Sequence, residues 1–127
     1  MDAQKVYKVV FRDGDDLVSA VAEGEAKVVY IPGQAAKPPA WLEARGYLLT
    51  AFSSLRAARR FRNTCSPIYL EELEIWEAEA TGCKRRRLPP RLACEPLSYR
   101  LTDARSVNPW PAGTIMAQEL TLLRQVE

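Results

Sequence analysis

The chain contains no histidine. That absence removes the usual general base, the usual companion of cysteine at zinc, and every Ser/His or Cys/His nucleophile pair. Cysteine is scarce as well. Cys65, Cys83 and Cys94 are odd in number and no two fall in CxxC spacing, so they read as free thiols rather than a disulfide framework. No apolar run reaches the roughly 18 residues a membrane span needs, and the start, MDAQKVYK, lacks the layout of a signal peptide. A cytoplasmic, non-membrane location is the expectation. No glycine-rich phosphate loop is present, and 18 basic against 16 acidic residues leave a net charge of only +2. Carboxylate, lysine and tyrosine chemistry stay open.

What is present suits one ordinary domain: 127 residues, 47% hydrophobic, enough to bury a core. The chain is organised around the stretch from Gly46 to Gly82. Tyr47 to Phe52 (YLLTAF) is a short apolar run, expected as a central strand covered on both faces. Ser53 or Ser54 then caps a helix of about ten residues on which Leu55, Ala57, Ala58 and Phe61 share one arc and Arg56, Arg59 and Arg60 the opposite one. Asn63 and Pro67 stop it. From about Leu73, Trp76, Ala78 and Ala80 alternate with Glu77 and Glu79, the period of a strand with one wet face, although the same residues also fit a helical stripe. Ile68 to Glu72 reads as irregular. The glutamates of this segment, Glu71, Glu72, Glu74, Glu77 and Glu79, are the expected partners of the helix arginines.

Upstream, Lys5 to Phe11 places Tyr7, Val9 and Phe11 on one face, and an acidic turn at Asp13 to Asp16 leads into Leu17 to Ala22, a hairpin. The turn lacks the rest of a calcium loop, and no metal site is expected. A third strand, Ala26 to Ile31, ends at Pro32 and Gly33. Trp41, after two prolines, is either a lid on the core or, with Tyr7, the wall of a pocket for a flat ligand. Downstream, Cys83 to Ala112 is a long proline-rich loop. Thr114 to Val126 resumes an apolar pattern and is expected as a closing strand, although Ile115 and Ala117 do not keep parity with Leu120 and Leu122, which leaves a bulge or a helix as alternatives. The fold class expected is α+β: a mostly antiparallel, strongly curved sheet of about five to seven strands with one principal helix.

Charge is uneven along the chain. Gly82 to Gly113 carries seven basic residues against two acidic, a net of +5, and the remainder nets −3. Lys84, Arg85, Arg86, Arg87 and Arg91 are therefore the candidate partner-binding residues, for an acidic protein surface or nucleic acid. The plainer alternative is a solvated charge run. Nucleic-acid binding would add an exposed aromatic, Tyr99 or Trp110, beside these cations. The residues alone favour a non-catalytic binding or accessory module.

The order GYLLTAFSSLRAARRF followed by IWEAEA resembles the strand-helix-strand core of ADP-ribosyltransferase-like domains, and of small phage and bacterial proteins, over about a third of the chain. One branch of that superfamily needs a histidine this chain lacks. The other uses an early-strand arginine, a Ser-Thr-Ser strand and a Glu-x-Glu pair. By resemblance, Arg12 stands for the arginine and Glu77 and Glu79 for the catalytic pair, with NAD as the implied cofactor. Ser19 alone represents the serine strand. Such a site requires Tyr7, Arg12 and Glu79 in one cleft.

Overall fold

The computed structural model describes residues 3–19, 28–44, 46–64, 73–85, 88, 91–92, 107–108, 110 and 112–127. Strand β1 (Gln4–Asp13) turns at Gly14, whose φ of +63° suits a two-residue loop, into β2 (Asp16–Ser19), which pairs with β3 (Val29–Tyr30). After the one-turn helix α1 (Ala40–Glu43) come β4 (Leu49–Phe52), the principal helix α2 (Leu55–Thr64) and β5 (Leu73–Thr81). The short strands β6 (Arg91–Leu92) and β7 (Val107–Asn108) pair only with each other. The chain returns through β8 (Thr114–Ala117) and β9 (Glu119–Gln125). Residues 20–27, 65–72 and most of 86–111 lie outside the described residues, and with them Cys65, Cys94, Tyr99 and the expected irregular segment Ile68 to Glu72.

The main sheet has seven strands, and every described pairing within it is antiparallel. Strand β1 is its hinge: one edge pairs along most of its length with β5, while the other meets β4 at Tyr7 and β2 from Val10 onward. The sheet curls until its ends meet. Beyond β3, the Gly33 N–H donates to the Leu122 carbonyl, and Ala36 exchanges both main-chain bonds with Leu120, so hydrogen bonds run from β3 through residues 33–36 to β9, β5 and back to β1. The parity break near the end is a kink at Gln118. It lets one continuous strand serve β4 with Thr114–Ala117 and β5 with Glu119–Gln125.

Three apolar clusters follow. Inside the curl, Val6, Val10, Leu17, Tyr30, Leu49, Ala51, Ala78, Ala80, Leu120 and Leu122 are buried together. On the opposite face of β1, Val9 joins Phe52, Leu73 and Ile75 beneath α2, which contributes Ala58 and Phe61. The helix begins as its sequence requires: the Ser54 hydroxyl accepts the Ala57 N–H at 3.1 Å. Beneath α1, Leu42, Tyr47 and Met116 form the third cluster.

Helix α2 is seated by a close approach at Gly113. Its φ is +83°, and a Cβ added there would meet the Ala57 Cβ at 2.5 Å. Gly113→Ala is expected to cost about 2 to 4 kcal/mol, from the left-handed backbone and the overlap with the helix. Urea denaturation checks this, and a cost under about 0.5 kcal/mol would show that the contact is slack.

Candidate functional site

The surface to consider begins where β5 runs out. Gly82 takes φ +65° and turns the chain so that Lys84 exchanges both main-chain hydrogen bonds with Met116 of β8. Directly opposed residues of an antiparallel bridge project to the same face. Met116 is fully buried in the cluster under α1, so Lys84 leaves the sheet on that cluster's face, with its side chain in solvent. Arg85, the next residue, is exposed and donates to the Gln4 side-chain oxygen at 2.9 Å, at the sheet end where β1 starts.

The same cluster holds both candidate aromatics. Pro39 opens α1, its carbonyl accepting from the N–H groups of Leu42 and Glu43, and Gly46 at φ +87° ends the turn. This sinks Leu42 and leaves its neighbour Trp41 partly buried at the cluster edge. Trp110 and Leu88, from the loop on the other side, pack on the same cluster and are also partly buried. Trp41 and Trp110 thus both rest against this one cluster. Of the remaining predicted cations, Arg86 and Arg87 lie outside the described residues, and Arg91 is described only as backbone in β6.

The residues singled out by the ADP-ribosyltransferase resemblance are not brought together. In the β1–β5 register Glu79 faces Lys5, whereas Arg12 follows Phe11, which faces Leu73. Seven residues of strand separate the two sites, about 20 Å. Arg12 is engaged by Glu74, its Nε donating at 2.6 Å and a second guanidinium nitrogen at 3.0 Å, and the Trp76 indole N–H donates to the same carboxylate at 2.9 Å. These bonds hold Glu74 below the usual carboxylate range, Arg12 contributing most. Glu77 is buried, 7% exposed, between Lys5 at 3.1 Å and Arg124 at 2.6 Å, and both lower its pKa, Lys5 foremost. Glu79 is exposed. Tyr7 packs with the cluster beneath α2, and Trp41, on α1, against the cluster of Leu42, Tyr47 and Met116, so the two candidate pocket walls belong to different clusters.

The expected pairing of the helix arginines with the β5 glutamates is corrected here. Register places Glu74 and Glu77 against cations of β1 and β9, while Val126 and Glu127 bond to Ile75 beneath the helix end. Arg59 and Arg62 therefore both hold Glu127, and its carboxyl is lowered chiefly by Arg59. Glu71 and Glu72 lie outside the described residues.

One residue of chemical interest was not singled out from the sequence. Lys8 is fully buried, its Nζ donating to the Thr50 carbonyl at 2.6 Å and hydroxyl at 3.0 Å and lying 5.5 Å from the centre of the Tyr30 ring. Burial pushes its pKa down to about 7. The available signal was its parity with Val6 and Val10, on the inward face of β1. The partly buried Cys83 is a free thiol whose pKa burial raises, the opposite of an activated nucleophile. Among the described residues no three acidic or cysteine side chains converge to hold a metal, and no helix is long and apolar enough to cross a membrane. No protein-family model, curated protein or solved structure matches this chain.

Proposed function

We propose that this protein is a non-catalytic binding module that engages a negatively charged partner through the basic segment opening at Lys84. The observation behind this reading is how cations are partnered. Lys5, Arg12, Lys37, Arg59, Arg62 and Arg124 each meet a carboxylate within 4 Å. Lys84 and Arg85 are exposed and meet none among the described residues, and they open a run of four adjacent cations. Arg56 and Arg60 on α2 are exposed too and, four residues apart, share one face of the helix, but they make a pair rather than a run of four. Unneutralised adjacent cations attract phosphate or carboxylate groups, by an interaction that salt screens.

Charge reversal of Lys84, Arg85, Arg86 and Arg87 to glutamate is expected to abolish retention on immobilised heparin while leaving the circular dichroism spectrum unchanged. Retention at the same salt concentration as the unaltered protein would remove the basis for this reading.

A further inference from the structure

The main sheet keeps one strand edge open beside the seam that closes its curl. We propose that this edge, on β3, receives an extended apolar segment of a partner protein, which adds to the sheet as a further strand and packs alternate side chains on Val29 and Ile31. This goes beyond the binding reading above and does not rest on it.

The pairing pattern fixes which main-chain groups are free. Asp13 and Asp16 close the two-residue turn as a hydrogen-bonded pair, and bonded and non-bonded pairs then alternate along the hairpin. Leu17 therefore directs its main chain to β3, where it meets Tyr30, and Val29 and Ile31 direct theirs to the outer edge. The Ile31 carbonyl accepts from the Gln34 N–H at 3.0 Å, but among the described residues no main-chain bond reaches the Ile31 N–H or either group of Val29. Closure of the curl does not cover this edge. Its last bond runs from the Gly33 N–H to the Leu122 carbonyl at 2.9 Å, and Leu123 is left out of the β5 pairing by the register shift at Glu77 and Ala78.

Apolar side chains gather at the same place. Among the described residues the exposed large ones are Val29, Ile31 and Leu123, at 49%, 53% and 50%. Leu123 adjoins Leu122, Ile31 stands two residues before Gly33, and Val29 two before Ile31, so all three flank that last bond. From Val28 to Ala36 the chain carries no charge, so contacts here are apolar and main-chain rather than ionic. Three half-exposed side chains fall far short of the roughly 800 Å² per partner that stable association between two copies needs. A single added strand needs less, because main-chain bonds supply its affinity and alternate side chains its specificity.

The probe is a fluorescein-labelled hexapeptide alternating valine and threonine, titrated with the full chain and followed by fluorescence anisotropy. Saturable binding is expected, and its absence overturns the proposal. Val29→Lys and Ile31→Lys should each weaken binding about tenfold, by setting a charge against the apolar face of the peptide. Unchanged affinity in both variants overturns the placement on β3. Two further peptides carry N-methyl groups on the valine amides or on the threonine amides, and the one whose blocked amides face β3 should not bind. Undiminished binding of both overturns addition as a strand. Dimerisation in sedimentation that the lysine variants abolish and the peptide does not displace also overturns the proposal, and gives the edge to a second copy of this chain. Should a lysine variant unfold, Val29→Thr and Ile31→Thr, which keep strand-forming side chains, and the methylated peptides still decide between these outcomes.

Discussion

Raising the pH from 7 to 10 is expected to stabilise the protein against urea, by about 1 kcal/mol per pH unit and about 3 kcal/mol in all. The cause is Lys8, whose pKa burial lowers from 10.5 to about 7. Above pH 7 the folded state has released this proton while the unfolded chain still binds it. The unfolded state then binds more protons, and stability rises with pH until the unfolded lysine also titrates. Below pH 7 both states carry the charge, and the cost of burying it is present in full. The rise ends near pH 10 for a second reason. Tyr30 and Tyr47 have pKa values raised by burial, so above 10 the unfolded tyrosines ionise first and stability is lost. The lowered carboxylates, Glu74, Glu77 and Glu127, titrate below 4.5 and are silent in this window. Lys8→Met should keep most of the volume, flatten the slope, and leave the Thr50 carbonyl without this donor at a cost of about 1 to 3 kcal/mol. Parallel pH profiles for the two proteins would show that Lys8 is not the titrating group.

Phe52→Ala should cost about 3 to 5 kcal/mol, the range for truncating a buried aromatic. Phe52 is 1% exposed and lies 5.3 Å from the Phe61 ring, tilted by 32°, with Val9, Leu73 and Ile75 around it. It therefore joins β4 to α2. A helix of ten residues does not persist alone, so loosening this contact should release α2 before the sheet melts, and far-ultraviolet dichroism should lose helical signal ahead of tryptophan fluorescence. Coincident transitions with a loss under about 1 kcal/mol would mean that the cluster closes around the gap.

Much of this architecture was legible in the residues. Leu55, Ala58 and Phe61 fall on one arc after a serine cap, and the observed helix buries that arc. The closing strand was legible, and the parity slip between Ala117 and Leu120 pointed to a bulge or a helix, of which the structure has the irregularity, at Gln118. The curved antiparallel sheet followed from strand-length alternation broken by Gly and Pro. Closure of the curl was not legible, because it depends on main-chain bonds of Gly33 and Ala36, which leave no trace in hydrophobic pattern. Ion-pair assignments failed for a related reason. Nearness in sequence suggested the helix arginines for Glu74 and Glu77, while strand register assigned them to Arg12, Lys5 and Arg124. Lys8 escaped notice because a lysine in a strand ordinarily reaches solvent by its long stem. The candidate surface was half visible: composition marked the cations, but only the Lys84–Met116 bridge shows where on the sheet they begin.

That bridge has an engineering consequence. The paired main chains of Lys84 and Met116 form a neck, so the chain between them begins and ends at fixed, adjacent points on the sheet. Closing a flexible segment across such a neck costs only about 0.6 kcal/mol more for each doubling of its length. Shortened or transplanted sequences inserted between Arg85 and Gly113 should leave β8 and the seat of α2 in place, making the position a socket into which other recognition loops can be fitted.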